Sequence, residues 1–186
     1  MKVSRRFKIG FPGRHNAVNA SLAIAAASDF GISLEEAANG LAKAELMEDR
    51  LKIKGKSGIK VIDDTYNASP DSMRAAIDVL INSKGLRKVA VLGDMLGLGE
   101  SGKRCHEEIG EYVGKKDIAL LITAGELAGH IADKAKETMG ADKVVCYGSR
   151  AKLEQDIMKF VFPGDVVLVK GSRAMAMENI VRKILE

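Results

Sequence analysis

Asp63, Asp64, Tyr66 and Asn67 stand close together and could do polar chemistry if the fold brings them to one edge of a sheet. The carboxylates are acceptors for hydroxyls or cations, and the phenol and amide add donors. Just before them, Val61 and Ile62 end a short apolar, β-branched run that predicts a buried strand. Just after them, Ser69-Pro70-Asp71 predicts a helix start: a hydroxyl N-cap, proline at the first helical position and an acid in the first turn. Strand, polar turn and helix N-terminus is where an open α/β sheet puts its ligands. On spacing alone the same residues could equally do no more than cap and turn the chain.

Two further sets carry chemistry. Lys170, Ser172 and Arg173 lie at a predicted strand-to-helix junction, with Asp94 after an earlier strand. Backbone N–H groups at a helix start, a hydroxyl and two cations suit an anion, although a capped helix with surface cations has the same composition. Asp94 could receive an ammonium group or orient Lys170. Near the N-terminus, His15, Asn16 and Asn19 open a helix, and the two asparagines, three apart, share a face and can present their amides together. Equally, one can cap the helix while the other is solvated.

Three lookalikes are set aside on spacing. Gly55-Lys56-Ser57 resembles the end of a phosphate-binding loop, but Arg50 stands where the earlier glycine belongs, and the surroundings predict a hairpin turn. Gly97, Gly99 and Gly102 satisfy a dinucleotide pattern. The turn there starts too early, at Gly93-Asp94, and Asp94 and Glu100 would face a pyrophosphate with negative charge. Asp117 precedes the next strand instead of ending it. Cys105-His106-Glu107 cannot converge on one ion, because successive helical residues point about 100° apart. His130 sits mid-helix as a surface or packed residue. No metal site is expected.

The elements that position these groups alternate. Helices are predicted over 16–30, closed by Gly31, and from a capping box at Ser33–Glu36 toward Ala44. Residues 51–54 and 59–62 flank Gly55–Gly58 as a hairpin. Strands at 89–92, 119–123, 143–147 and 166–169 then alternate with helices at about 70–83, 101–115, 126–139, 150–160 and 174–185. This pattern predicts an α/β fold, a Rossmann-like doubly wound and mainly parallel sheet. It is preceded by a helical stretch with no strand of its own, which reads as the back of a larger domain. The division falls near 45–50, giving 1–48 and 49–186.

A 186-residue chain with 46% hydrophobic and 29% charged residues has an ordinary globular composition. The net charge of +4 gathers at Lys2, Arg5, Arg6 and Lys8 and at Lys52, Lys54, Lys56 and Lys60. Aromatics make up 4% and no nucleic-acid motif occurs, so most of this charge is solvated surface, with a basic cleft for nucleotide phosphates using the rest. Two distant cysteines fit a reducing compartment, and no run approaches membrane-spanning length. The cytoplasm is the expected location, without membrane insertion.

Four stretches together carry a resemblance: Asp63–Met73, Gly13–Asn19, Leu92–Leu96 and Gly164–Arg173. Taken in their order along the chain, they resemble the Mur ligase family, closest to the type that joins D-alanyl-D-alanine to a UDP-N-acetylmuramoyl-tripeptide. The resemblance covers nearly the whole chain but only the C-terminal portion of such an enzyme. Two departures stand out: Asp49 where glycine usually precedes the arginine, and Gly97 where glutamate is usual.

The resemblance implies ATP-dependent amide ligation with Mg²⁺, in which the tripeptide carboxylate becomes an acyl phosphate and the amine of D-Ala-D-Ala attacks it. It implies nucleotide contacts from His15, Asn16, Asn19, Arg50, Asp64 and Tyr66, with Asp64 on the ribose and Asp63 structural. Amine-substrate contacts would come from Asn67, Asp94, Lys170, Ser172 and Arg173, the last gripping the dipeptide carboxylate and Lys170 adding a mobile point charge. ATP and Mg²⁺ would be bound mainly by a central domain that this sequence does not carry. The chain is therefore expected to be a fragment or truncated product, with no catalytic residue of its own and no ATP hydrolysis alone. The alternatives are a stand-alone Rossmann-like small-ligand module and a sibling Mur or folylpolyglutamate-type ligase domain.

Overall fold

The computed structural model describes residues 6–44 and 50–186. The chain divides into two compact units, Met1–Met47 and Glu48–Glu186. Lys2, Arg5, Asp49 and the expected division at 48/49 lie outside the described residues.

In the first unit, α1 (Arg14–Asp29) ends in a Schellman motif. The Gly31 N–H bonds to Ser28 O at 3.0 Å and the Ile32 N–H to Ala27 O at 3.1 Å. α2 (Leu34–Lys43) opens on the expected capping box, with Ser33 and Glu36 each accepting from the other's backbone N–H.

The second unit begins with a hairpin of β1 (Lys52–Lys56) and β2 (Ile59–Asp64). Its turn is tighter than the Gly55–Gly58 turn expected from sequence. Gly55 and Lys56 belong to the strand, and only Ser57 and Gly58 turn, both at positive φ, 52° and 79°. That is the pattern of a type I′ turn, whose twist matches the strands it joins.

The remaining strands are β3 (Arg87–Gly93), β4 (Leu120–Ala124), β5 (Val144–Tyr147) and β6 (Asp165–Lys170). The sheet order is β1-β2-β6-β3-β4-β5, parallel throughout except for the β1–β2 pair. Helices α3 (Pro70–Asn82), α4 (Gly102–Gly114), α5 (Ala128–Met139), α6 (Arg150–Asp156) and α7 (Glu178–Leu185) make the crossovers and the C-terminal end. The expected doubly wound, mainly parallel sheet is present.

Two helix readings need correction. The helix expected over 150–160 gives way to a 3-10 turn at Ile157–Lys159. The last helix starts at Glu178, not 174: a 3-10 turn at Arg173–Met175 comes first, and Ala176 then takes the left-handed conformation, φ 48°.

Strand pleating divides the core between the two faces. Val61, Val89, Val91, Ile122, Val167 and Val169 pack with Leu153, Ile157, Met177, Ile180 and Ile184 from the α6–α7 side. Ile62, Ala90, Leu92, Leu121 and Leu168, equally buried, alternate with them and face the layer of α3, α4 and α5. Each fully buried aliphatic side chain contributes about 1.5–3 kcal/mol relative to exposure. Alternation also sends Asp63 and Asp64 to opposite faces, which decides their roles.

Candidate functional site

The C-terminal ends of β2, β3 and β6 share one edge of the sheet. Asp64 and Lys170 are direct register partners on neighbouring strands, so their side chains emerge side by side. Lys170 Nζ lies 2.5 Å from Asp64 Oδ2 and donates to Asn67 O at 2.8 Å, with only 2% of the residue exposed. The other Asp64 oxygen accepts from the Leu51 N–H at 3.2 Å. Burial pushes the Lys170 pKa below its ordinary value, opposed by Asp64 and reinforced by the nearby Arg50 charge. Lys170 is therefore not the mobile point charge expected from sequence. Its stem is packed and its ammonium has fixed acceptors. Nor does Asp94 orient it, because Asp64 and Asn67 do.

Leu51 pays for its bond to Asp64 with a left-handed backbone, φ 47°, although its side chain is buried. Such a conformation costs about 1–3 kcal/mol for a residue with a Cβ and persists only when its surroundings hold it. One residue earlier, the Arg50 guanidinium lies over the Tyr66 ring, 4.3 Å from its centroid. Arg50, Asp64, Tyr66, Asn67 and Lys170 thus form one group. Asp63 stands apart on the opposite face, fully buried, accepting from Thr65 Oγ1 at 2.8 Å and Lys54 Nζ at 2.5 Å. Those partners occupy both of its carboxylate oxygens.

The loop after β3 is built differently. Asp94 Oδ1 accepts from the Ala128 N–H at 2.6 Å, at the start of α5, and Asp94 O accepts from the Ser172 N–H at 2.9 Å. Ser172 Oγ accepts in turn from the Leu96 N–H at 2.8 Å. Between them the Met95 N–H donates to His106 Nε2 at 2.9 Å. The fit leaves no spare room. A Cβ on Gly125, whose φ is 129°, would lie 2.3 Å from Asp94 Oδ1, and one on Gly171 would lie 2.7 Å from Met177 Cγ.

Ser172 is buried, whereas the Arg173 side chain is 59% exposed, with Nη1 3.7 Å from Glu178 Oε1. No α-helix opens at Lys170–Arg173: the Ser172 N–H is taken by Asp94 O, and the Met175 and Ala176 N–H groups bond back to Ser172 O and Arg173 O within a 3-10 turn. At the end of β6, Arg173 is thus the exposed cation and Lys170 the buried one.

His15, Asn16 and Asn19 lie on α1 of the first unit. Neither asparagine caps that helix, because Gly13 is its N-cap; Asn16 Nδ2 donates to Pro12 O at 2.7 Å, and Asn19 is exposed. His106 carries structure at the edge that spacing did not bring forward. Its partners are backbone atoms, which leave no side-chain pattern to read. Among the described residues no cluster of three or more His, Cys, Asp or Glu could hold a metal ion, and no helix is long and apolar enough to cross a membrane.

Residues 49–173 match the family described as "Mur ligase, glutamate ligase domain". The UDP-N-acetylmuramoyl-tripeptide--D-alanyl-D-alanine ligase of Bacillus subtilis is 39% identical over 99% of this chain, which spans 41% of that relative's length. In three dimensions the chain resembles MurF from Acinetobacter baumannii, with a TM-score of 0.85 and 32% identity over 96% of this chain and 39% of that one. It also resembles MurF ligase from Thermotoga maritima in complex with ADP, with a TM-score of 0.73 and 27% identity over 94% of this chain and 38% of that one. The parallel sheet, its antiparallel lead-in strand and the loops gathered at its C-terminal edge are therefore those of a known group: the chain belongs to the Mur ligase family.

Proposed function

We propose that this chain is the amine-substrate part of an ATP-dependent ligase that adds D-Ala-D-Ala to UDP-MurNAc-tripeptide in peptidoglycan synthesis, in the cytoplasm. The observation that carries this reading is 39% identity, sustained over 99% of the chain, to a ligase named for that reaction. The residue types at the C-terminal edge agree with it. ATP supplies a phosphoryl group that turns the tripeptide carboxylate into an acyl phosphate, and phosphate leaves when the dipeptide amine attacks. The work left to this chain is positioning and charge.

Arg173 grips the dipeptide carboxylate through paired N–H bonds. Asn67, Asp94 and Ser172 shape the pocket around it, and Asp94 is the acid available to the ammonium end. Lys170 acts from beneath, holding Asp64 and the Asn67 carbonyl in place. Arg50, Asp64 and Tyr66 meet the nucleotide, Arg50 supplying positive charge for its phosphates and Asp64 an acceptor for the ribose. His15, Asn16 and Asn19 on α1 are, taken by themselves, the first unit's candidates for contacting an adenine ring. Asp63 and Asp64 point to opposite faces and each already holds a lysine, and among the described residues no three His, Cys, Asp or Glu side chains gather to hold a metal, which favours assigning Mg²⁺ mainly to the central domain of such a ligase. Nothing in the basic surface calls for a nucleic-acid partner.

A chimera tests this. The Bacillus subtilis ligase, with its matching C-terminal portion replaced by this chain, is expected to release phosphate from ATP only when both the tripeptide precursor and D-Ala-D-Ala are present. Turnover with a single amino acid in place of the dipeptide would make the chain a sibling ligase domain. A folded chimera that binds nucleotide but accepts no amine would favour a binding module.

A further inference from the structure

His106 is fully buried on α4, with both ring nitrogens committed. Nδ1 lies 2.7 Å from Gly102 O, one turn back, and Nε2 lies 2.9 Å from the Met95 backbone nitrogen. A carbonyl only accepts and an amide N–H only donates, so the proton belongs on Nδ1 and the ring is neutral. Met95 is the centre of the segment whose neighbours make the other ties of this loop: Asp94 to Ala128 and Ser172, and Leu96 to Ser172 Oγ. The imidazole is thus the side-chain acceptor that α4 gives to the loop, as Ser172 is the one given from the end of β6.

Protonation of Nε2 would set two N–H donors face to face in a buried place, so the bond to Met95 could not survive. Two charged or titratable groups bear on the ring from the elements packed against it. The Asp94 carboxylate favours the imidazolium and His130 of α5 opposes it. Burial is the larger influence and holds His106 below its ordinary pKa.

We propose that His106 is the positioning residue of the amine-substrate loop: as a neutral imidazole it holds Asp94–Leu96 in the form that Ser172 completes, and its protonation releases that loop while the sheet stands. The consequence for the dipeptide rests on the function proposed above, but the pin itself does not.

The test is an NMR pH titration of this chain. Long-range nitrogen spectra are expected to show His106 as the Nδ1–H tautomer at neutral pH. The Met95 and Leu96 amides should move in acid with one midpoint, shared with the His106 ring and lying below about pH 6.5. The Leu51 amide, tied to Asp64, should not follow that midpoint. His106→Gln keeps an acceptor without a titrating ring, and it should abolish the midpoint at Met95 and Leu96.

An Nε2–H tautomer, a Met95 amide indifferent to His106 protonation, or an unchanged midpoint in His106→Gln would each overturn the proposal. So would a ring that stays neutral until the whole domain unfolds, since the loop would then have no release of its own. If His106→Gln does not fold, the wild-type titration decides alone. D-alanyl-D-alanine is added on both sides of the midpoint. Its affinity is expected to fall about tenfold on the acid side, on the scale of one lost hydrogen bond. Equal affinity on both sides, with the loop displaced, would overturn the positioning role. No dipeptide response at either pH, with the midpoint intact, would leave the pin standing and remove the amine assignment.

Discussion

After β2, the chain is held by buried charge: Asp64 lies between the Leu51 N–H and the Lys170 ammonium, and Lys170 reaches on to Asn67. After β3, on the far side of β6, the loop hangs on a neutral imidazole, a serine hydroxyl and a carboxylate that caps a helix. Both regions are buried and both are fully partnered at these atoms, yet they answer to different disturbances. An ion pair removed from water is costly to break from one side, because the remaining charge has nowhere to go. A hydrogen bond to a neutral ring is lost for about 1 kcal/mol but can be switched by a single proton. The β2 side is therefore built to hold, and the β3 side is where acid acts first.

The largest effect is expected on the charged side. Lys170→Met leaves Asp64 buried without its cation and should cost about 3–5 kcal/mol in urea unfolding. Asp64→Asn combined with Lys170→Met should recover most of that loss, because no charge is then stranded. A double variant as unstable as the single one would mean that packing, not charge, holds this loop. On the β3 side, Gly125→Ala should cost about 2–4 kcal/mol in the same assay. It would force an alanine into φ 129° and drive its Cβ into Asp94. Loss of that size should also loosen the Ala128 amide in hydrogen exchange.

The pH dependence sharpens the contrast. The His106 pKa is depressed in the folded state, so its stabilising contribution is full above about pH 6.5 and is lost as pH falls through the folded value. Urea midpoints against pH should show an acid limb removed by His106→Gln. The smallest effect belongs to a control. Thr123 on β4 is fully buried and its hydroxyl has no partner among the described residues, so Thr123→Val should leave the melting stability within about 1 kcal/mol or raise it. A large loss there would mean that the Thr123 hydroxyl is paired after all.

Much of this is legible in the chain itself. Val89–Leu92 and Val166–Val169 are buried on both faces, so they read as continuous apolar runs, and the alternation of such runs with amphipathic helices has few solutions other than a parallel sheet. The capping signals at Ser33 and Ser69 are local and hold, because their partners lie three residues away. Lys170 cannot be read the same way. Its partner Asp64 is 106 residues distant, and only the adjacency of β2 and β6 reveals that they meet. His106 is hidden because it bonds to backbone groups, which every residue carries. The start of α7 is misplaced from sequence because Ala176 adopts a left-handed conformation that nothing in its side chain announces. The hairpin turn reads too wide because β1 is an exposed edge strand, where burial imposes no pattern on Gly55 and Lys56.

The function proposed above turns on Arg173, the exposed cation after β6, as the group that holds the amine substrate while the groups beneath keep the loops in place. The most direct measurement is steady-state kinetics of the Bacillus subtilis chimera carrying Arg173→Ala. The dipeptide KM is expected to rise roughly thirtyfold, about 2 kcal/mol for a charge-assisted bond, while the KM for ATP stays within twofold. An equal weakening of both substrates, or no change in either, would contradict it.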